Sequence, residues 1–177
     1  MNLRRPPSGP VPIAILLLAL ATASLVGGGY LSVDRSAQRG TMLILRGIAN
    51  EENPRGQLDD RSALEYARRS GYRGEVLDAA GNTGAESPQV KMALSYIRAN
   101  TKITAIYGFS GGGYNTKTIW KLLNENERQR LEKVVIVGAP GVDKSDFPGS
   151  ANVLIQSDPP AGHMAGPKVL LDSLGPS

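Results

Sequence analysis

The sequence predicts an α/β protein: a three-layer sandwich around a central, mostly parallel sheet of about five strands. Three observations carry this expectation. From Thr41 onward, compact apolar runs alternate with amphipathic stretches of helical length, and that alternation builds parallel strands joined by right-handed helical crossovers. The main apolar runs are near-continuous, as strands covered on both faces require. The chain has 177 residues, enough for one domain and too few for two ordinary ones.

The N-terminus stands apart from this pattern. Val11 to Leu31 carries no charged side chain, and Arg4 and Arg5 precede it, the layout of a positive n-region and an apolar h-region. Ala19-Leu20-Ala21 and Ala21-Thr22-Ala23 both fit a small-residue cleavage site. An uncleaved anchor is the alternative, because about 20 apolar residues span a bilayer. The expected organisation is therefore a signal peptide or membrane anchor over residues 1–33, a linker over 34–40 and one domain over 41–177. Both readings export the domain from the cytoplasm, and the anchor reading adds a membrane contact through this segment.

The elements follow in order. Thr41 to Leu45 is a buried strand ending at Arg46-Gly47. Asp59-Asp60 caps a helix running to about Ser70, with Gly71 as its stop. Glu75 to Asp78 is a shorter strand. Ser87-Pro88 opens a helix on which Val90, Ala93, Leu94 and Ile97 recur at helical spacing. Ile103 to Phe109 is a strand, and Gly111-Gly112-Gly113 leads into a helix holding Trp120, Leu122 and Leu123. Lys133 to Gly138 and Ala151 to Gln156 supply the last strands, and Gly166-Pro167 begins a closing helix through Leu170, Leu171 and Leu174.

In parallel sheets of this kind, ligands bind beyond the carboxyl ends of the strands. Gly108-Phe109-Ser110-Gly111-Gly112 sits at such an end and matches G-x-S-x-G with a strand before it and a helix after it. That setting lifts a serine hydroxyl above the sheet for nucleophilic attack, and the Gly111 N–H can stabilise an oxyanion beside it. The sequence does not complete a phosphate-binding P-loop, since Gly113-Tyr114-Asn115 replaces the required Gly-Lys-Ser/Thr.

A serine nucleophile needs a base, and the sequence offers one imidazole, His163, after the last strand. The acid that orients it is Asp158 as first choice, with Asp143 and Asp146 as alternatives. The second oxyanion donor is expected in the loop after the first strand, at Gly47 or Ile48. Arg46 and Glu51 in that loop are candidates for a structural ion pair or for shaping the entrance, not for a catalytic role.

Composition removes other classes. With no cysteine and a single histidine, disulfides, thiolate nucleophiles and Cys- or His-rich metal sites are excluded. The formal net charge is +4, half of it from Arg4 and Arg5, and there is no basic run with interleaved aromatics, so no nucleic-acid partner is expected.

Taken together, Arg46-Gly47 after the first strand, the GFSGG turn, Ser157-Asp158 to His163 and the closing helix resemble the α/β-hydrolase superfamily, within it the minimal cutinase-like serine esterases. The resemblance covers Thr41 to Leu174. It implies a fold without a lid, acyl-enzyme hydrolysis of small-molecule or lipid esters, no metal and no organic cofactor, and it favours Asp158 as the acid. The chain departs from the family pattern in lacking cysteine, in carrying Ile48 where a hydroxyl residue is usual, in carrying Gly111 where a polar residue is common, and in a shortened acid-to-histidine segment. A non-catalytic, membrane-tethered binding or scaffold module is the alternative function.

Overall fold

The computed structural model describes residues 39–51, 54–79, 82–150 and 152–176. The expected signal or anchor segment, and all but the last two residues of the linker, lie outside them. Among the described residues no helix is long and apolar enough to cross a membrane.

The order of elements is β1 (Thr41–Leu45), α1 (Asp60–Arg69), β2 (Arg73–Val76), α2 (Pro88–Ala99), β3 (Ile103–Phe109), α3 (Gly111–Leu122), α4 (Glu125–Arg130), β4 (Lys133–Val137), β5 (Val153–Gln156) and α5 (Gly166–Asp172). The five strands form one sheet in the order β2-β1-β3-β4-β5, and every neighbouring pair is parallel. This is the three-layer α/β arrangement that the sequence predicts.

The layers follow from the two-residue period of the strands. Met42, Ile44, Ala105, Tyr107, Phe109, Val135 and Val137 face one side and pack with Ala63, Tyr66 and Ala67 of α1 and Leu170 of α5. Leu43, Leu45, Ile106, Val134 and Ile136 face the other, against Val90, Ala93 and Ile97 of α2 and Ile119 and Trp120 of α3. The central strands are buried throughout β1 and over most of β3 and β4, whereas the edge strands β2 and β5 are only half-buried.

Several elements differ from the sequence expectation, among them α5, which ends at Asp172 and leaves Leu174 beyond it. β2 begins at Arg73 instead of Glu75 because its register is set by β1, with Thr41 opposite Arg73 and Ile44 opposite Val76. β5 begins at Val153, paired with Val134. α4 is additional: Glu125–Arg130 buries no residue, so it carries no apolar period. It exists through its capping box, in which Asn124 Oδ1 accepts from the Glu127 N–H and the Glu127 carboxylate accepts from the Asn124 N–H. α1 starts as expected, with Asp59 accepting from the N–H and the hydroxyl of Ser62.

The core also holds hydroxyls without partners. Tyr66 and Tyr107 have ring centroids 6.0 Å apart, both side chains are fully buried, and neither hydroxyl has a hydrogen bond among the described residues. Burial, then the neighbouring Tyr66 and Asp59, pushes the Tyr107 phenol far above its ordinary value. Its neutral form is thus retained in the folded chain while the unfolded chain ionises near pH 10. Folding stability should therefore fall as pH rises above about 10, with Tyr107 contributing a slope of about 1.4 kcal/mol per pH unit. Tyr107→Phe should remove that part of the slope and leave neutral-pH stability unchanged or higher, since it deletes an unpaired buried hydroxyl. Denaturant unfolding at pH 7 and pH 11 checks both. A loss above ~1 kcal/mol at pH 7 would mean that the hydroxyl does have a partner.

Candidate active site

The registers bring four strand ends to one edge of the sheet. Leu45 lies opposite Gly108, Phe109 opposite Val137, and Val137 opposite Gln156. The residues that follow, Arg46, Ser110, Gly138 and Ser157, consequently emerge together.

Ser110 joins β3 to α3 with φ 52° and ψ −120°. Among the described residues it is the one non-glycine with positive φ, a conformation that persists only where its surroundings impose it. The surroundings are visible. The Ser110 N–H donates to Val137 O at 2.8 Å, and its carbonyl accepts from Gly113 N–H at 2.8 Å. α3 begins at once, so close to β1 that a Cβ on Gly112 would lie 2.5 Å from Leu45 O and 2.6 Å from Arg46 O. Glycine is needed there because no side chain fits between the helix and those carbonyls.

Gly111 and Ile48 bring two backbone N–H groups close to the serine turn. Gly111 is the first residue of α3, where an N–H has no intrahelical acceptor. Ile48 N lies 3.0 Å from where a Gly111 Cβ would stand, and the Ile48 N–H has no partner among the described residues. Of the two sequence candidates in this loop, Gly47 is already engaged, its N–H donating to Gln57 O at 2.8 Å. Gly47 instead contributes closeness, since a Cβ on it would be 3.5 Å from Ser110 Oγ. The Ile48 side chain lies across Gly111 and would collide with any Cβ there, so the two departures from the cutinase-like pattern are one packing arrangement.

His163 opens a 3-10 turn after β5. Its Nδ1 is 2.7 Å from Asp158 Oδ1, and its ring lies on Phe109 with centroids 4.8 Å apart. Both partners are about one-third exposed. The pair rests against Gly138, whose φ is +61° and where a Cβ would meet Asp158 Oδ1 at 2.6 Å and His163 Cε1 at 2.8 Å. Among the described residues the Ser110 hydroxyl has no hydrogen bond to His163 or to any other group.

The alternative acids are committed elsewhere. Asp143 accepts from the N–H and hydroxyl of Ser145, which hold its carboxyl below the usual range. Asp146 is ion-paired with Lys117 at 2.7 Å. Desolvation acts to raise its carboxyl, but Lys117 and the Asp143 N–H outweigh this and lower it. Arg46 and Glu51 do not form the expected pair, because Arg46 reaches Asp60 in the first turn of α1 at 2.5 Å. Asp60 lies where the helix N-terminus favours a carboxylate, whereas Glu51 is exposed.

Two buried polar neighbours of the site escape the sequence reading. Gln89 and Asn115 are both 1% exposed. Gln89 Nε2 donates to Arg46 O at 3.1 Å and Ala79 O at 2.8 Å, and Gln89 Oε1 accepts from Asn115 Nδ2 at 2.9 Å. The available signal was their spacing: Gln89 precedes Ala93 by four residues and Asn115 precedes Ile119 by four, placing an amide on each buried stripe. No cluster of metal-ligating side chains occurs among the described residues.

A solved structure described as Trichoderma reesei cutinase in complex with a C11Y4 phosphonate inhibitor superposes on the chain with a TM-score of 0.53. The match covers 92% of this chain and 89% of that one at 15% identity. The chain has the cutinase-like α/β-hydrolase fold. No protein-family model matches the sequence, and comparison with curated proteins gives no match.

Because His163 is the one imidazole in the sequence, its NMR signals are unambiguous. The Nδ1 proton should be slowed in exchange by Asp158, remain so in Asp143→Asn and Asp146→Asn, and exchange rapidly in Asp158→Ala. A protected proton in Asp158→Ala would assign His163 to another acceptor.

Proposed function

We propose that the chain is a carboxylic-ester hydrolase working through an acyl-enzyme on Ser110. The observation that carries this reading is the strained Ser110 at the β3–α3 junction, with the His163–Asp158 pair seated against Gly138 at the same sheet edge. A non-glycine residue held at φ 52° is costly, and such strain is concentrated at functional sites.

In the proposed reaction His163 Nε2 takes the Ser110 proton as the hydroxyl attacks the ester carbonyl. Asp158 accepts the Nδ1–H bond and stabilises the imidazolium. The Gly111 and Ile48 N–H groups receive the oxyanion. The alcohol leaves with the proton from His163, and water, activated in the same way, releases the acid and frees Ser110. With Ile48 in the loop, the oxyanion is held by backbone donors, without a side-chain hydroxyl. Ile48 and Met164 are both nearly half exposed, one lying over Gly111 and the other following His163, and they favour an apolar group on the ester. The N-terminal apolar segment supports export from the cytoplasm, as a cleaved signal or as a membrane anchor.

The non-catalytic binding or scaffold reading is favoured by one observation, the absence of a Ser110–His163 hydrogen bond among the described residues. Catalytic hydrogen bonds are often long before substrate arrives, which is why the hydrolase reading is preferred. Hydrolysis of p-nitrophenyl acetate, butyrate and octanoate by the full chain separates the two. Wild type should turn over at least one ester. Ser110→Ala should retain only the residual rate of binding and the oxyanion site, roughly 10³–10⁴ over water, and His163→Ala should be nearly as damaging because the members act as a unit. Full activity in Ser110→Ala would refute the mechanism, and an inert wild type would favour the binding module.

A further inference from the structure

A chain of buried amides connects the two sides of the proposed oxyanion site. It begins at the Gly84 N–H, which donates to Asn115 Oδ1 at 3.0 Å. Asn115 Nδ2 donates to Gln89 Oε1 at 2.9 Å, and Gln89 Nε2 donates to Arg46 O and Ala79 O. Backbone groups of fixed polarity stand at both ends. A donor fixes the oxygen of Asn115 and two acceptors fix the nitrogen of Gln89, so neither amide can be turned over without losing bonds. Both side chains are almost wholly excluded from solvent, where an unpaired amide is costly.

The peptide unit at the end of this chain is significant. Arg46 C=O and Gly47 N–H belong to the same rigid plane. Gln89 holds the oxygen, and Gln57 O accepts from the nitrogen. A plane tethered at both ends cannot swing. The next peptide along carries the Ile48 N–H, separated from the tethered plane only by the two torsions of Gly47. Asn115, for its part, lies on α3, the helix whose first residue supplies the other donor at Gly111.

We propose that Gln89 and Asn115 are positioning residues for the oxyanion site, fixing the Ile48 N–H relative to the Gly111 N–H. This rests on the ester-hydrolase reading. Ile48 carries no hydroxyl, so the aim of its N–H has no side-chain reinforcement. The amide chain supplies it from behind the loop. The contacts of the two amides to Ala79 O, Asn82 O, the Gly84 N–H and Ser87 Oγ would close the neighbouring segment by themselves, and the further bond from Gln89 Nε2 to Arg46 O ties the same network to the end of β1.

The test uses the full chain with Gln89→Met, which keeps length and removes both polar ends. The second variant, Asn115→Asp, keeps the acceptor for Gly84 but sets a carboxylate against Gln89 Oε1, drawing Gln89 Nε2 away from Arg46. Two readouts are needed: kinetics on p-nitrophenyl butyrate and backbone amide exchange at Gly47. Both variants should lower kcat by roughly 10- to 100-fold, short of the ~10²–10³ lost when a donor is removed, with KM and the pH profile unchanged. Gly47 exchange should accelerate in both. Unchanged kcat in folded variants of an active wild type overturns the proposal, even if Gly47 exchanges faster. A rise in KM alone also overturns it, since that would place the amides in substrate binding. If wild type is inert toward esters the hydrolase reading fails separately, and the exchange still decides the tether: unchanged Gly47 protection in Asn115→Asp and Gln89→Met overturns it.

Discussion

The structure depends on one constraint: α3 must begin within one residue of the end of β3 while its first turn lies against the carbonyls that end β1. Only a sharp backbone reversal achieves this. Ser110 supplies the reversal at positive φ, and Gly112 gives way to Leu45 O and Arg46 O. Bonds on either side hold the reversal in place, from Ser110 N–H to Val137 O and from Gly113 N–H to Ser110 O. Sheet register then does the rest, since the ends of β1, β4 and β5 align with the turn and deliver Gly47, Gly138 and the Asp158–His163 segment to the same edge.

The site is built by exclusion of Cβ atoms as much as by placement of functional groups. Gly138 leaves space for the His163–Asp158 pair, and Gly111 leaves space for Ile48. The apolar Ile48 therefore does not stand alone. It goes with the glycine after the serine, whose missing Cβ leaves the room that Ile48 Cγ1 and Cδ1 fill. The outcome is an apolar wall beside two backbone donors, a geometry that relies on how firmly the Arg46–Gly47 loop is held. Arg46 strengthens that hold through its ion pair with Asp60, which is largely buried on the Arg46 side.

Much of the fold was legible in the sequence because its central strands are buried on both faces. Thr41–Leu45, Ile103–Phe109 and Lys133–Val137 are continuous apolar runs whose limits hardly depend on context. The edge strand β2 was misplaced by two residues because half-buried strands take their register from a neighbour that local sequence does not identify. α4 was missed because it buries nothing. Within the candidate site, G-x-S-x-G between strand and helix pointed to Ser110, and scarcity pointed to His163. Asp158 already ranked first among the acids from its place after the last strand, and the fold adds what sequence does not encode: Asp143 is engaged with Ser145 and Asp146 with Lys117. The sorting of Gly47 from Ile48 likewise turns on a backbone bond to Gln57 that no sequence pattern encodes.

Covalent labelling separates an activated Ser110 served by His163 from an idle serine in a strained turn. The full chain would be treated with a fluorophosphonate and the modified peptide located by mass spectrometry. The account predicts one adduct, on Ser110, formed rapidly in wild type and lost or strongly slowed in His163→Ala. A well-folded wild type that takes no label, or one labelled on a different serine, would contradict it.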